Sequence, residues 1–272
     1  MTTLQEGSRS VGQLGFRLTG RDATLLRDLY DSTVLSLAQI RTRHFPSAAH
    51  STVVNRLSCL KRAGLVSSTR VGIVIHHGLG REIGVVYRIS RRGIGKLTEL
   101  HPEAHFRELP LPLNTASLVH DLVLTDTVTA LKVRHPGARV VNGKLLSGSQ
   151  RAASRNPDAV LVSTAPPERW AVELELSAKS SRRYREIVTS YRLSKDYDKV
   201  LYVVARWPIA EAVQSQILGL DVTRSRVAQP TARFYFASLR ELLANPSTAE
   251  VANATRPYPN VLPSMSNKGG ES

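Results

Sequence analysis

Two glutamates in one apolar strand constrain the possible fold and site of this chain more than any other feature. They are Glu173 and Glu175, in the second of two short strands that residues 155–191 predict before a helix. Side chains alternate faces along a strand, so both carboxylates point one way while the apolar residues between them point into a core. Two carboxylates on one face repel each other unless a cation lies between them. The pattern predicts a divalent cation site, and the solvated face of an edge strand is the alternative.

Four further residues of this stretch extend the predicted site. Asp158 opens the first strand, and it joins the two glutamates as a metal ligand if that strand pairs beside the second. Carboxylates, waters and phosphate oxygens are the usual ligands of Mg²⁺. Lys179 follows the second strand, where it offers a positive charge to phosphate. Arg182 and Arg183 begin the predicted helix and are assigned to DNA phosphates, with a solvated basic face as the alternative.

The same helix carries two tyrosines, which complete the candidate catalytic set together with one histidine. Tyr184 and Tyr191 are seven residues apart and share one helix face. Their hydroxyl groups are candidate nucleophiles, although packing on a sheet is the commoner role of such tyrosines. His120 lies early on a separate predicted helix, and helix packing is the alternative to a role in the site.

Charge and cysteine content restrict the class of protein. The chain has 272 residues, a formal net charge of +15 and 42% hydrophobic residues. This balance suits an anionic polymer or a membrane surface as partner. One cysteine, Cys59, excludes a disulfide framework and a cysteine zinc site. The sequence contains neither a signal-peptide core nor an apolar run of the roughly 18 residues that a membrane helix needs. We therefore expect a cytoplasmic protein without membrane insertion.

The N-terminal part predicts three helices, a hairpin and a closing helix after a flexible tail, residues 1–17. Thr19 caps the first helix, and Ser47 is the expected cap of the third, which Gly64 ends. β-rich runs on both sides of a glycine-rich tip predict the hairpin. This order over residues 18–100 resembles a winged helix-turn-helix domain.

In that geometry the third helix enters the major groove, and its first turns meet base edges. The resemblance implies contacts with double-stranded DNA from two groups of residues, although some winged helices bind proteins instead. The helix supplies His50, Ser51, Asn55, Arg56, Lys61 and Arg62. The hairpin supplies Arg70, His76, His77 and Arg81.

The C-terminal part predicts an α/β domain. Residues 101–116 form a proline-containing linker, residues 117–245 follow the order α-β-β-β-α-β, and the polar tail 246–272 is expected to be disordered. The predicted fold class is α+β, a winged helix-turn-helix followed by a restriction-endonuclease-like domain. Pro157, Asp158, Glu173, Glu175 and Lys179 carry the second part of this prediction, because they resemble the PD-(D/E)xK nuclease motif. Glu175 stands where that motif has lysine, and Lys179 is a lysine at a shifted position.

The two-domain order and the acids resemble the replication-relaxation family and plasmid mobilisation relaxases of the MobC type. The resemblance implies a protein of a plasmid or integrative element that binds an origin region and nicks one strand with Mg²⁺ or Mn²⁺. Its expected partners are duplex DNA and other relaxosome or replication proteins, and a homodimer is one expected assembly. The alternative is a non-catalytic regulator or accessory initiator with a degenerate nuclease fold, which the glutamate at position 175 favours.

Overall fold

A computed structural model describes residues 17–76, 79–109, 115–146, 156–222 and 230–255 of this chain. It confirms the predicted mixture of helices and sheets. The chain divides into two compact units, Met1–Thr125 and Asp126–Ser272, and the division lies within one helix. The predicted domain bounds at 18–100 and 117–245 stay predictions. Within the described ranges, no helix combines the length and the apolar character needed to cross a membrane.

The first unit contains the predicted helices and hairpin, followed by the first half of a long helix. Its elements are α1 Gly20–Ser32, β1 Leu35–Ser36, α2 Leu37–His44, α3 His50–Arg62, β2 Val66–His76, β3 Leu79–Ile89, α4 Arg91–Leu100 and α5 Leu118–Arg134, which crosses into the second unit. The three strands form one antiparallel sheet in the order β1-β3-β2. The two-residue strand β1 was not predicted, because so short a segment has no detectable periodicity.

Local hydrogen bonds explain where these helices begin. Thr19 caps α1 as predicted, and Asp22 completes a capping box in which the side chain of each satisfies a backbone N–H group of the other. The predicted cap of α3 at Ser47 is wrong. Ala49 occupies the N-cap position without a side-chain hydrogen bond. Ser47 falls in the turn that follows α2, where the Ala48 N–H donates to the Phe45 carbonyl at 3.1 Å, so the helix begins later than the cap signal indicates.

The second unit is built on a six-stranded sheet in the order β4-β5-β6-β7-β8-β9. The strands are β4 Arg139–Asn142, β5 Ala159–Thr164, β6 Pro167–Glu175, β7 Lys199–Val204, β8 Phe234–Ser238 and β9 Val251–Asn253. β6, β7 and β8 run parallel, whereas the other neighbouring strands pair antiparallel. Its further helices are α6 Ser181–Leu193, α7 Trp207–Val222 and α8 Leu239–Ala244.

The C-terminal tail departs from the sequence prediction. Disorder was expected from residue 246 onward, but Val251–Asn253 forms β9 and pairs with β8. The prediction failed because a three-residue edge strand obtains its stability from the neighbouring strand rather than from its own polar composition. The rest of that tail, residues 256–272, lies outside the described residues, as do residues 1–16 of the predicted N-terminal tail.

Helices α6 and α7 share a hydrophobic cluster with one face of this sheet. The strands contribute Val160, Ala171, Val200, Tyr202, Val204, Phe234 and Phe236 to it. The two helices contribute Tyr184, Ile187, Val188, Tyr191, Ile209, Ala210, Val213 and Ile217. Because β6 lies inside the sheet and is buried on both faces, any polar group on it needs an internal partner.

Candidate active site and nucleic-acid interface

The two glutamates lie on an interior strand rather than on a sheet edge. Glu173 and Glu175 are each 1% exposed on β6, between β5 and β7. They pair with Tyr202 and Val204 of β7 and share the sheet face with Ala171, the face that packs against α6. The alternative of a solvated edge strand is therefore wrong. Burying two carboxylates in an apolar layer is costly, so the groups around them determine what the site can do.

Asp158 lies directly before β5, next to the glutamates. Ala159 pairs with Val172, so the register places Asp158 beside Glu173 on the same sheet face. One carboxylate oxygen of Asp158 accepts a hydrogen bond from the backbone N–H of Leu174 at 2.8 Å. The predicted pairing of the first strand beside the second is confirmed. Asp158 is half-buried, so it is more accessible to solvent than either Glu173 or Glu175.

A glycine fixes the backbone that carries Asp158. The N–H of Gly143 donates to the Asp158 carbonyl at 2.7 Å. A Cβ atom on Gly143 would lie 1.9 Å from the carbonyl oxygen of Pro157, which no real side chain tolerates. Only glycine permits this close approach. The sequence analysis missed Gly143, although a glycine directly after a short strand is a usable signal for a close backbone contact.

Each glutamate has a different partner on or near α6. The hydroxyl group of Tyr191 donates to Oε1 of Glu173, and both side chains are buried. Lys179 forms an ion pair with Oε2 of Glu175, and its ammonium group lies 5.9 Å from the ring centroid of Tyr184. The Tyr184 hydroxyl accepts a hydrogen bond from the Lys179 backbone N–H at 3.0 Å. The structure thus brings the predicted acids, lysine and tyrosines together.

Burial and neighbouring charges change the ionisation of two of these groups. Burial raises the pKa of Glu175 above its usual value, and the charges of Glu173 and Asp158 raise it further against the opposing effect of Lys179. Burial, together with the charge of Glu175, raises the pKa of Tyr184 to about 12. Both Asp158 and Glu173 therefore lie close enough to Glu175 to act on it electrostatically. A neutral, buried phenol at position 184 is a poor nucleophile.

Three further candidate site residues, Arg182, Arg183 and His120, each have an acidic neighbour. Arg182 and Arg183 are exposed in the first turn of α6, and both pair with Glu186, at 3.2 Å and 3.1 Å. His120 is half-buried in the first unit, where its Nδ1 atom lies 4.0 Å from Asp121. The proposed approach of His120 to the acids stays a prediction.

Most of the candidate DNA contacts on α3 are exposed, and one is not free to contact a base. Exposed side chains are found at His50, Ser51, Asn55, Lys61 and Arg62, and at Arg70 on the hairpin. Arg56 instead donates from Nε to the buried carboxylate of Asp22 at 2.8 Å and from Nη2 to the Arg17 carbonyl at 3.0 Å. Burial alone would raise the pKa of Asp22, but hydrogen bonds from Arg56 and Thr19 lower it. These contacts favour a structural role for Arg56.

The hairpin tip is only partly described. The backbone of His76 pairs with that of Leu79, and the backbone of Arg81 pairs with that of Val74. His77 lies outside the described residues. The DNA contacts assigned to these three residues therefore stay predictions.

The sequence model of one family, replication-relaxation, matches residues 26–199. This match covers more than half of the chain. The chain belongs to the replication-relaxation family. The match extends from α1 to the start of β7, so it includes every residue of the acidic site described above. No curated protein and no solved structure matches this replication-relaxation protein.

The donor chemistry of the acidic site fits a hard divalent cation. The charges of Glu173 and Asp158 act on Glu175, and the buried Oε1 atom of Glu175 has no hydrogen-bond partner among the described residues. An orphaned carboxylate oxygen is the kind of ligand that Mg²⁺ or Mn²⁺ takes. Nevertheless, no group of three or more His, Cys, Asp or Glu side chains in the described ranges has an arrangement that could hold a metal ion. The cation therefore stays a prediction for this replication-relaxation protein.

Proposed function

We propose that this replication-relaxation protein binds an origin region of a plasmid or integrative element and nicks one DNA strand at the acidic site. Family membership supports a role in replication or mobilisation of such an element. The observation that carries the nicking activity is the cluster of Asp158 and the buried Glu173 and Glu175 beside Lys179, with an unpartnered carboxylate oxygen on Glu175. Buried acids with a perturbed pKa, held next to a cation, are typical of catalytic sites.

The first unit supplies the proposed duplex binding. Its helices α1, α2 and α3, followed by the β2–β3 hairpin, have the element order of a winged helix-turn-helix. The first turn of α3 presents His50 and Ser51 to solvent, and Asn55 lies one turn further on. Hydrogen-bonding side chains near the start of a recognition helix read base edges in the major groove. Recognition of a defined origin sequence would depend on these three residues.

The second unit supplies the proposed cleavage on a PD-(D/E)xK-like arrangement. Asp158, Glu173 and Glu175 would hold Mg²⁺ or Mn²⁺, which would supply positive charge to the phosphate and lower the pKa of a bound water. Lys179, half-buried at the edge of the site, would bind a phosphate oxygen. In this hydrolysis a water oxygen would form a bond to phosphorus and lose one proton to solvent, the bond from phosphorus to the 3′ or 5′ oxygen would break, and the leaving oxygen would take a proton from solvent. The buried hydroxyl groups of both site tyrosines favour water over tyrosine as nucleophile.

Relaxation of a supercoiled plasmid tests this proposal. The protein is incubated with plasmid in Mn²⁺, Mg²⁺ or EDTA, and conversion to the open circle is measured. Asp158→Asn and Glu173→Gln should abolish nicking while duplex binding in a gel shift stays intact. Glu168→Gln is the matched control, because Glu168 lies on the same strand but pairs with Lys199 at 2.7 Å. Nicking that survives Glu173→Gln would overturn the proposal, as would a covalent protein–DNA adduct lost in Tyr184→Phe.

The second candidate function is non-catalytic DNA binding by a regulator or accessory initiator. Two observations favour it: Glu175 occupies the lysine place of the nuclease motif, and Asp158 and Glu173 already accept hydrogen bonds from Leu174 and Tyr191. Specific duplex binding without nicking under any metal condition would establish this alternative. Relaxosome or replication proteins are proposed partners under both functions, and sedimentation of the purified protein tests the homodimer.

A further inference from the structure

Four basic side chains surround the turn that ends α3. Lys61 and Arg62 close α3, Arg91 and Arg92 open α4, and all four are exposed. Gly64 brings the two pairs together, because its φ of +71° reverses the chain directly after α3. A Cβ atom on Gly64 would lie 3.4 Å from Cδ and 3.9 Å from Nη1 of Arg92, so the Arg92 side chain lies across this turn. We call these four residues the Gly64 cluster.

The backbone under the Gly64 cluster is held firmly. Ser90, the N-cap of α4, donates its side-chain hydrogen bond to the Gly64 carbonyl and its backbone N–H to the Leu65 carbonyl at 3.0 Å. Gly93 packs so closely that a Cβ atom there would lie 2.2 Å from the Leu65 carbonyl oxygen. The first turn of α4 is thus fixed against the end of α3. Cations on a fixed backbone lose less conformational freedom when they bind a partner.

The positions of the two arginines oppose the stability of their own helix. Arg91 and Arg92 lie in the first turn of α4, and that turn has no acidic residue. The N-terminus of a helix carries partial positive charge and favours carboxylates over cations there. Placing two arginines at this end, next to two more cations, is unfavourable for the isolated unit. Residues that break such a local rule are expected at functional sites.

The internal partners of the cluster leave its charge available. Lys61 donates to the Ser68 hydroxyl at 2.9 Å, and Arg62 to the Cys59 sulfur at 3.2 Å, so neither of these contacts removes charge. Arg91 pairs with Glu108 at 3.2 Å, but the two side chains are 74% and 68% exposed. An ion pair this exposed contributes little to stability, so Arg91 can readily exchange Glu108 for another anion.

We infer that the Gly64 cluster is a second DNA-backbone site, in which Arg91 and Arg92 together with the end of α3 bind duplex phosphates. This inference rests on the proposed duplex binding by the first unit. Helix α3 has 13 residues, so its length is about 20 Å. Its base-contacting first turn and the Gly64 cluster lie at its opposite ends. The major groove is about 12 Å wide, so a helix of that length lying across it would bring its far end to the phosphates at the groove edge.

Salt-dependent DNA binding by the full-length chain tests the inference. Binding of a fluorescent 30-base-pair duplex is measured by anisotropy between 50 and 200 mM salt for the wild type and for Arg91→Ala/Arg92→Ala. The double variant should bind all duplex sequences more weakly by a similar factor, and the slope of log K against log salt should become less steep by about 1.8, or 0.9 per lost phosphate contact. Arg91→Lys/Arg92→Lys should retain most of that slope, because lysine keeps the charge.

A matched control and two distinct failures make the result interpretable. Arg27→Ala removes one positive charge from α1, where Arg27 pairs with Asp31 at 2.9 Å, and should leave the slope unchanged. If the double alanine variant has the affinity and slope of the wild type, the Gly64 cluster is not a DNA site, while duplex binding still stands. If the wild type itself fails to bind duplex at 50 mM salt, the proposed function fails instead. Circular dichroism of the variants shows whether they remain folded.

Discussion

Tyr191 donates its hydroxyl hydrogen bond to Oε1 of Glu173 across the contact between α6 and β6. Both residues are buried, so the hydroxyl group satisfies a carboxylate that has lost its hydration. The sequence identified Tyr191 as a candidate nucleophile. Its hydrogen bond favours a role as a positioning residue, because it fixes the direction of the carboxylate that is proposed to hold the metal.

Tyr191→Phe therefore tests positioning against nucleophilic catalysis. The substitution keeps the ring that packs 6.0 Å from Tyr197 but leaves Glu173 without this donor. The unfolding free energy should fall by about 1–3 kcal/mol, the usual contribution of a hydrogen bond to a buried charged group. The Mn²⁺ concentration needed for half-maximal nicking should rise while nicking persists at saturating Mn²⁺. Complete loss of activity at saturating metal, with an unchanged melting temperature, would contradict this role.

A second prediction concerns alkaline stability. The pKa of Tyr184 is raised to about 12 in the folded state, against about 10 for an unperturbed tyrosine. The folded state thus binds the Tyr184 hydroxyl proton more tightly than the unfolded state does. The neutral hydroxyl group therefore contributes its full stabilisation of the fold below pH 10, and this contribution is lost as the pH rises from about 10 to 12. Denaturant unfolding at pH 9, 10 and 11 should show the advantage of the wild type over Tyr184→Phe shrinking with pH. An advantage that stays constant over this range would contradict the raised pKa.

Local signals predicted the N-terminal elements well. The Thr19 cap, the alternation of the hairpin and the Gly64 stop each depend on neighbouring residues, and each is found in the structure. Ser47 failed as a cap because the turn after α2 takes up that residue, and β9 was missed because a three-residue strand exists only through its partner β8. Local patterns thus predicted elements but not their exact limits.

The acidic site was predictable in composition but not in its environment. Alternation along β6 placed Glu173 and Glu175 on one face, and pairing with β5 brought Asp158 to them. The spacing of Tyr184 and Tyr191 was compatible with packing on a sheet, but it did not indicate that α6 covers the face with the acids, because that choice depends on contacts remote in sequence. For the same reason Arg56 was expected at DNA, although its partner, Asp22, lies 34 residues earlier on α1.

The close approach at Gly143 yields a third prediction. In Gly143→Ala the new methyl group must displace the Pro157–Asp158 backbone, so we expect a loss of about 1–3 kcal/mol in stability, typical of overpacking. Nicking should fall more than duplex binding, because the displaced segment carries Asp158. Gly219→Ala on α7 is the control, since among the described residues no heavy atom beyond its chain neighbours and the backbone of its own helix lies within 4 Å of the added Cβ. That control should be stabilised by up to about 1 kcal/mol, as expected for alanine in a helix. Equal effects of the two substitutions would contradict the conclusion that Gly143 fixes the backbone that carries Asp158.

The ion pair between Glu175 and Lys179 provides the last prediction, in which stability and activity change in opposite directions. The pKa of Glu175 is raised by burial, then by Glu173 and Asp158 against the opposing effect of Lys179. Its charged form therefore destabilises the folded state, and this penalty grows as the pH rises above the unfolded value of about 4.3. Glu175→Gln removes the charge, so the variant should equal or exceed the wild type in melting temperature at pH 7 but lose nicking.

Lys179→Met should have the opposite effect on stability, because it leaves the Glu175 carboxylate buried without its cation. Removing one partner of a fully buried pair costs about 3–5 kcal/mol, and screening around a lysine that is 34% exposed reduces this to about 1–3 kcal/mol. The double variant Glu175→Gln/Lys179→Met should recover most of this loss, since no buried charge then remains to be compensated at position 175. Thermal melts at pH 5 and pH 7 measure the three variants, and the advantage of Glu175→Gln should be larger at pH 7. If the Glu175→Gln variant were as unstable as Lys179→Met, the Glu175 carboxylate would stabilise the sheet. That result would contradict the expectation that this carboxylate lowers stability and serves nicking.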